Sequence, residues 1–342
     1  MKAALLFALI SFTVLLSGRG QVYFVDKKNG RDTNDGSASH PLKSLNKALE
    51  LANQLTGQGS VTVKVMPGTY VLEDKLVVNP VRRFADTSRF TIEAYVNPDD
   101  KNWSPEKMPL ITSMSENNSE TLFSHSVGFL VASEKVTIRG IKFLGNVNQS
   151  VSYYYPIVKE DSTLADLEVT QCMFIGDKET SIIQGGIWAH GPKNVIDHCV
   201  FYECRNAVLL FDNVRGFRVT NSIISKAYES AFWWTPKDVE FEFQNNILIE
   251  NENIIVSSRT KNPVYSSPIK NTTISNNKGF VGYWSREEGS VLPNQAPEIP
   301  LENVTREANI RLQENFGTSW NREHLHAKDK NGDLIKVGIF KN

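Results

Sequence analysis

The chain has 342 residues, 40% hydrophobic and 22% charged, which fits one large or two ordinary soluble domains with a sizeable core. Lys and Arg number 37 against 38 Asp and Glu, so the net charge of −1 gives no global field to gather nucleic acid or an anionic membrane. With Gly 21 and Pro 14, the composition excludes collagen, a coiled coil, a multi-pass membrane protein and wholesale disorder.

The chain opens with Lys2, an apolar run from Ala3 to Leu16, and the small residues around Gly18 and Gly20. This is the form of a signal peptide over 1–20, cut near Gly20. The run is shorter than the roughly 20 residues that span a bilayer, so no membrane insertion is expected. A secreted or periplasmic protein follows. Next, Leu45, Ala48, Leu49, Ala52 and Leu55 recur at helical spacing behind Ser44, predicting an amphipathic helix with Ser44 as its N-cap. Residues 21–60 then form an N-terminal strand and a capping helix. Val61-Thr-Val-Lys-Val65 alternates as a strand does, and Pro67-Gly68 turns the chain.

The middle of the chain repeats. Six segments share one pattern: Ile138-Arg-Gly-Ile141-Lys-Phe143, Val169-Thr-Gln-Cys172-Met-Phe174, Ile196-Asp-His-Cys199-Val-Phe201, Val219-Thr-Asn-Ser222-Ile-Ile224, Phe243-Gln-Asn-Asn246-Ile-Leu248 and Ile274-Ser-Asn-Asn277-Lys-Gly279. Their first positions are 31, 27, 23, 24 and 31 residues apart, the signature of a solenoid. Second strand-like runs lie between them at Ile187–His190, Ala207–Phe211, Ala231–Trp234 and Ile254–Val256. Short β-branched strands with Asn, Gly, Lys and Asp at the corners predict an all-β fold. It is a single-stranded right-handed parallel β-helix of about 8–10 coils over 61–285, stacked at about 4.8 Å per coil. The fourth positions, Ile141 to Asn277, are expected to pile into one column. Cys172 and Cys199 fall in that column and read as buried, reduced thiols, while Cys204 lacks any metal or CxxC spacing. Residues 286–342 read as an irregular polar tail held loosely against the barrel.

Two stretches resemble the pectate-lyase-like superfamily. Val25-Asp-Lys-Lys-Asn-Gly30, Asp32, Asn34-Asp-Gly36, Pro41, Lys43-Ser-Leu45, Ala48-Leu49 and Met66-Pro-Gly-Thr-Tyr70 are similar to the opening of secreted β-helix polysaccharide lyases of the family-nine kind. Gly186 to Phe201 resembles the Asn-Val-Trp-Ile-Asp-His-Cys segment of pectate lyases, with its Trp missing. The resemblance implies a polysaccharide partner and β-elimination, and it raises Ca²⁺ as a cofactor by resemblance alone. The positions aligned with the calcium aspartates read Arg205 and Leu209, and that of a substrate-binding lysine reads Glu229. No metal ligand set is therefore assigned.

The residues themselves nominate a site. His190 falls one step beyond Trp188 on the same strand face, and both project outward if Ile187 and Ala189 fill the core. Arg205, Asp212, Lys226 and Glu229 fall on neighbouring coils and supply acids and cations for catalysis. Asp212 and Glu229 would suit hydrolysis if about 5–9.5 Å apart. Trp188 and Trp233, with Tyr154 at the rim, offer flat faces to sugar rings. Of Trp233 and Trp234, alternation turns one outward and one inward. The reading is a monomeric carbohydrate-active protein for an acidic polysaccharide, with a lyase ahead of a glycoside hydrolase. The alternative is a glycan-binding β-helix without chemistry.

Overall fold

The computed structural model describes residues 20–85, 87–234, 241–257, 268–293, 299–306 and 337–341. The expected signal peptide, except Gly20, and most of the expected tail lie outside the described residues.

Three parallel sheets wind around one apolar core. Sheet A has ten strands, from Gln21–Val25 to Leu301–Glu302; sheet B has nine, from Thr69–Leu72 to Thr305–Arg306. Sheet C also has nine, beginning with Leu76–Val78, and closes with an antiparallel pair, Gly279–Ser285 on Ser290–Pro293. In the regular part, each coil contributes one strand to each sheet, so residues about two dozen apart become neighbours. Among the described residues, one α-helix, α1 (Leu45–Gln54), covers the first coil. It buries Leu45, Ala48, Leu49 and Ala52, and Ser44 Oγ accepts the Lys47 N–H at 3.1 Å. Asp32 Oδ1 accepts the amides of Lys43 and Ser44, so the Asp32–Gly36 stretch is a turn that sets the helix start.

The corners explain the repeat. Between sheets A and B stand Gly140, Gln171, His198, Asn221, Asn245 and Asn271, all at positive φ. The residue after each turns inward: Ile141, Cys172, Cys199, Ser222, Asn246 and Thr272. From Cys199 on they form a ladder. The amide of Cys199 donates to Ser222 Oγ (3.1 Å), that of Ser222 to Asn246 Oδ1 (2.9 Å), and that of Asn246 to Thr272 Oγ1 (3.3 Å). Thr272, not Asn277, occupies the sixth place, and Phe243 pairs with Ile269, not Ile274. Asn277 belongs to a second ladder at the corner between sheets B and C, where Asn251 N donates to Asn277 Oδ1 and Ala227 N to Asn251 Oδ1, each at 2.9 Å. The two ladders demand the same small polar residue after a left-handed one, which is why sequence spacing merged them. All three cysteines are free and buried.

Inside, Phe143, Phe174 and Phe201 stack on successive coils with centroids 5.0 and 4.7 Å apart. The tail differs from expectation. Coils continue through Thr305–Arg306, and Val337, Ile339 and Phe340 are buried against the outer face of sheet B, over Met173, Val200, Ile223 and Ile247. Phe340 meets Trp103 edge-on at 5.1 Å, and Gln171 Nε2 donates to the Ile339 carbonyl at 2.8 Å. Apolar side chains on both faces of sheet B require such a cover, because an exposed apolar face would cost the burial it forgoes.

Candidate functional site on the outer face of sheet C

Sheet C alternates, and its register sets one outward column: Leu130, Val158, Trp188, Leu209, Trp233 and Val256 pair in succession. The partners of this column, Ile187, Ala189, Val208, Leu210, Phe232 and Trp234, fill the barrel. Trp188 and Trp233 therefore share a face with Leu209 between them, and Trp234 points in. Two of the expected binding residues stand differently. Tyr154 is inside the core, because a break in alternation at Pro156 places Tyr155 outward in its stead. Trp188 faces outward but is only 1% exposed, since Phe123 lies parallel over it with centroids 6.0 Å apart. Phe123 belongs to a loop closed by the Ser119–His125 bridge, so a chain segment occupies the place assigned to a sugar. Trp233 is only partly buried, its ring tilted against Trp284 at 5.7 Å.

Two charged poles flank this apolar floor. At the N-terminal end of the strands, Arg205 Nη2 donates to Glu229 Oε1 (2.7 Å), and Nη1 donates to Gln184 Oε1 (3.2 Å). Asn206 Nδ2 donates to Glu229 Oε2 at 2.7 Å. Glu229 is nearly buried, yet both its oxygens meet donors, which holds the carboxylate in place. Tyr155 borders the pole. Burial pushes its hydroxyl well above the usual range; the charge of Tyr153 adds to that, Arg205 opposes it, and Glu229 reinforces it. Gly185 allows this crowding, since a Cβ there would stand 1.9 Å from Leu209 and 3.1 Å from Tyr155.

At the C-terminal end, His190 stacks on Phe211 at 5.5 Å. Its Nε2 accepts the Trp188 indole N–H (3.0 Å), its Nδ1 meets the Asp212 amide (3.1 Å), and Asp212 Oδ2 lies 3.7 Å away. A second pair was not anticipated from sequence. His125 is fully buried, and its Nδ1 lies 2.8 Å from the Phe123 carbonyl, which can only accept, so the ring proton sits there. Nε2 lies 4.0 Å from Glu160 Oε1, with no hydrogen-bond partner. His125 and Trp188 are 5.3 Å apart. Glu160 also accepts Thr121 Oγ1 (3.0 Å) and Ser119 Oγ (3.3 Å), tying the covering loop to the barrel. Glu160 was legible in principle: it follows Val158 by the offset that separates His190 from Trp188. His125 sits in a loop outside the repeat and carried no such signal.

The five expected catalytic residues do not converge. Glu229 stands beside Arg205, whereas Asp212 follows Arg205 by seven mostly extended residues, so their anchors lie about 20 Å apart. That exceeds the separation of glycosidase carboxylates. Lys226 is a corner residue at positive φ whose Nζ donates to Tyr202 OH at 3.2 Å, on sheet B. Calcium finds no fit here. Among the described residues no group of three His, Cys, Asp or Glu could hold a metal, Arg205 is ion-paired and Leu209 is apolar. Among them, too, no helix is long and apolar enough to cross a membrane.

No protein-family model and no curated protein matches the chain. Solved structures do. A GH136 lacto-N-biosidase from Eubacterium ramulus superposes with a TM-score of 0.50 at 13% identity, over 76% of this chain and 57% of that one. A rhamnogalacturonan lyase gives 0.45 at 13% identity (93% and 96% covered), and the pectate lyase Pel9A gives 0.42 at 13% (90% and 82%). The chain thus spans 57% of the biosidase's length. At such identities the likeness speaks to architecture, and it agrees with the three parallel sheets: this chain has a parallel β-helix fold.

Proposed function

We propose that this chain is a secreted, carbohydrate-active protein that holds an acidic polysaccharide along the outer face of sheet C, with cleavage by elimination ahead of hydrolysis. One observation carries the reading: an in-register apolar column that includes Trp233 and is flanked by the Arg205–Glu229 pole and by two histidine–carboxylate pairs. Aromatic and aliphatic faces accept sugar rings. Arg205 suits a uronate carboxylate by its planar fork. His125, with an unengaged Nε2 beside Glu160, is the group best prepared to take a proton once the Phe123 loop lifts. The spacing of Asp212 and Glu229 argues against hydrolysis by that pair.

Binding without cleavage is the second reading. It is favoured by the roughly 20 Å between Arg205 and the histidine end, too far to neutralise and deprotonate one sugar. Incubation with a panel of uronic-acid polymers separates the two. New unsaturated-uronate absorbance that vanishes in His125→Ala, with retained affinity-gel retardation, establishes elimination. Retardation without products establishes binding. A Trp233→Ala protein should show weakened retardation in either case; neither products nor retardation with any acidic polymer would discard the proposal.

A further inference from the structure

A second groove lies on the outer face of sheet A, about 1000 Å³ in volume, around Lys193, Val195, Arg215, Arg218, Glu242 and Lys270. Its shape follows from the register. Arg218 projects outward between Val195 on one coil and Glu242 on the next, so a short side chain floors the groove beside a long cation. Lys193 and Arg215 stand on the turns that enter sheet A on successive coils, coupled by the Lys193 N–H to Arg215 carbonyl bond at 2.9 Å. Gly216 follows at positive φ, and its missing side chain keeps that wall low.

The charges are unbalanced. Asp166, at one edge, is held by Arg89 at 2.9 Å, and Lys270 is held by Glu302 at 3.0 Å. Glu242 accepts Gln244 Nε2 at 2.5 Å. Lys193, Arg215 and Arg218 are exposed and have no ion pair among the described residues, so three cations face one carboxylate in a chain whose net charge is −1. Two neighbouring coils carry them: Lys193 stands one coil step, about 4.8 Å, from Arg215, and Arg218 follows Arg215 by three residues on the same coil, a cluster of donors that a charged polymer can cover.

We infer that this groove is a second, anion-selective glycan site, which takes the carboxylates or sulfates of an acidic polysaccharide while sheet C holds the sugar faces. Arg215 and Arg218 bind the anionic groups bidentately and Lys193 as a point charge. The choice of a glycan over other polyanions rests on the function proposed above; the groove and its charge do not.

The test is binding of full-length protein to immobilised polygalacturonate, to a neutral glucan of equal length and to double-stranded DNA, with Lys193→Ser/Arg215→Ser/Arg218→Ser beside the parent. Circular dichroism checks folding. All three sites are exposed, and Val195→Trp supplies an independent block by filling the floor. Loss of about tenfold in polygalacturonate affinity is expected for the triple variant, from three charge contacts worth about twofold each, and a loss of similar size for Val195→Trp by exclusion from the floor. Parent affinity should weaken as salt shortens the screening length, and Trp233→Ala should leave residual, salt-sensitive binding. Unchanged affinity in both groove variants overturns the inference and leaves the sheet C reading standing. Tighter binding to DNA than to polygalacturonate overturns the glycan assignment.

Discussion

Replacing Asn246 with Ala removes one rung of the ladder between sheets A and B. The side chain is 1% exposed; its Oδ1 accepts the Ser222 amide at 2.9 Å and its Nδ2 donates to the Val219 carbonyl at 2.9 Å. Alanine takes both partners away in a buried site. Each buried backbone group left unsatisfied costs about 1–3 kcal/mol, for a total of about 2–6 kcal/mol. At about 2–3 °C per kcal/mol for a domain of this size, the melting temperature should fall by about 4–18 °C. Thermal unfolding followed by circular dichroism reads the effect. Asn246→Thr is the control, because Thr272 fills the equivalent place with a hydroxyl acceptor, and it should recover part of the loss. A melting temperature within about 1 °C of the parent for Asn246→Ala would refute the reasoning, since a buried two-bond rung cannot be that dispensable.

Two further outcomes follow from buried groups. Burial pushes the Asp197 carboxyl up, but the His198 ring nitrogen at 2.9 Å, Asn221 and Lys341 outweigh it and hold Asp197 below the ordinary carboxylate range. A depressed folded value means stability present above the unfolded value of about 4 and lost as pH falls below it. Asp197→Asn should therefore flatten the acid limb of a stability–pH profile; an unaltered limb would contradict the assignment. Burial pushes the Cys172 thiol up to about 12, and Cys199 and Cys204 are raised by the same cause. None of the three should react with an aromatic disulfide reagent at pH 8 until denaturant is added, and prompt native-state labelling of any of them would count against their placement.

The winding was legible because a β-helix writes its register into sequence. Apolar first positions, small inward corner residues and the Ser44-capped helix each carry a local demand that only one place in the coil satisfies. The failure at Asn277 has the same origin, since two corners impose one demand. The apolar pairs Met173-Phe174, Val200-Phe201 and Ile223-Ile224 already implied a strand buried on both faces, yet nothing local named its cover. That cover comes from Val337 to Phe340, and separation that long leaves no periodic trace. The site was legible in part. Alternation placed Trp188, Leu209 and Trp233 on one face, and spacing brought Arg205 to Glu229. Tyr154 turned inward because alternation breaks at Pro156, which sequence periodicity cannot foresee. The covering of Trp188 by Phe123 and the His125–Glu160 pair depend on a loop outside the repeat.

The most direct measurement of the central claim is hydrogen–deuterium exchange with and without an acidic oligosaccharide that the protein retains in affinity gels. The account predicts slowed exchange along sheet C at Gly185–Ala189, Asn206–Leu210 and Ser230–Trp234, together with altered exchange in the loop carrying Phe123 and His125. Protection confined to sheet A or sheet B, with sheet C and that loop unchanged by a bound sugar, would contradict it.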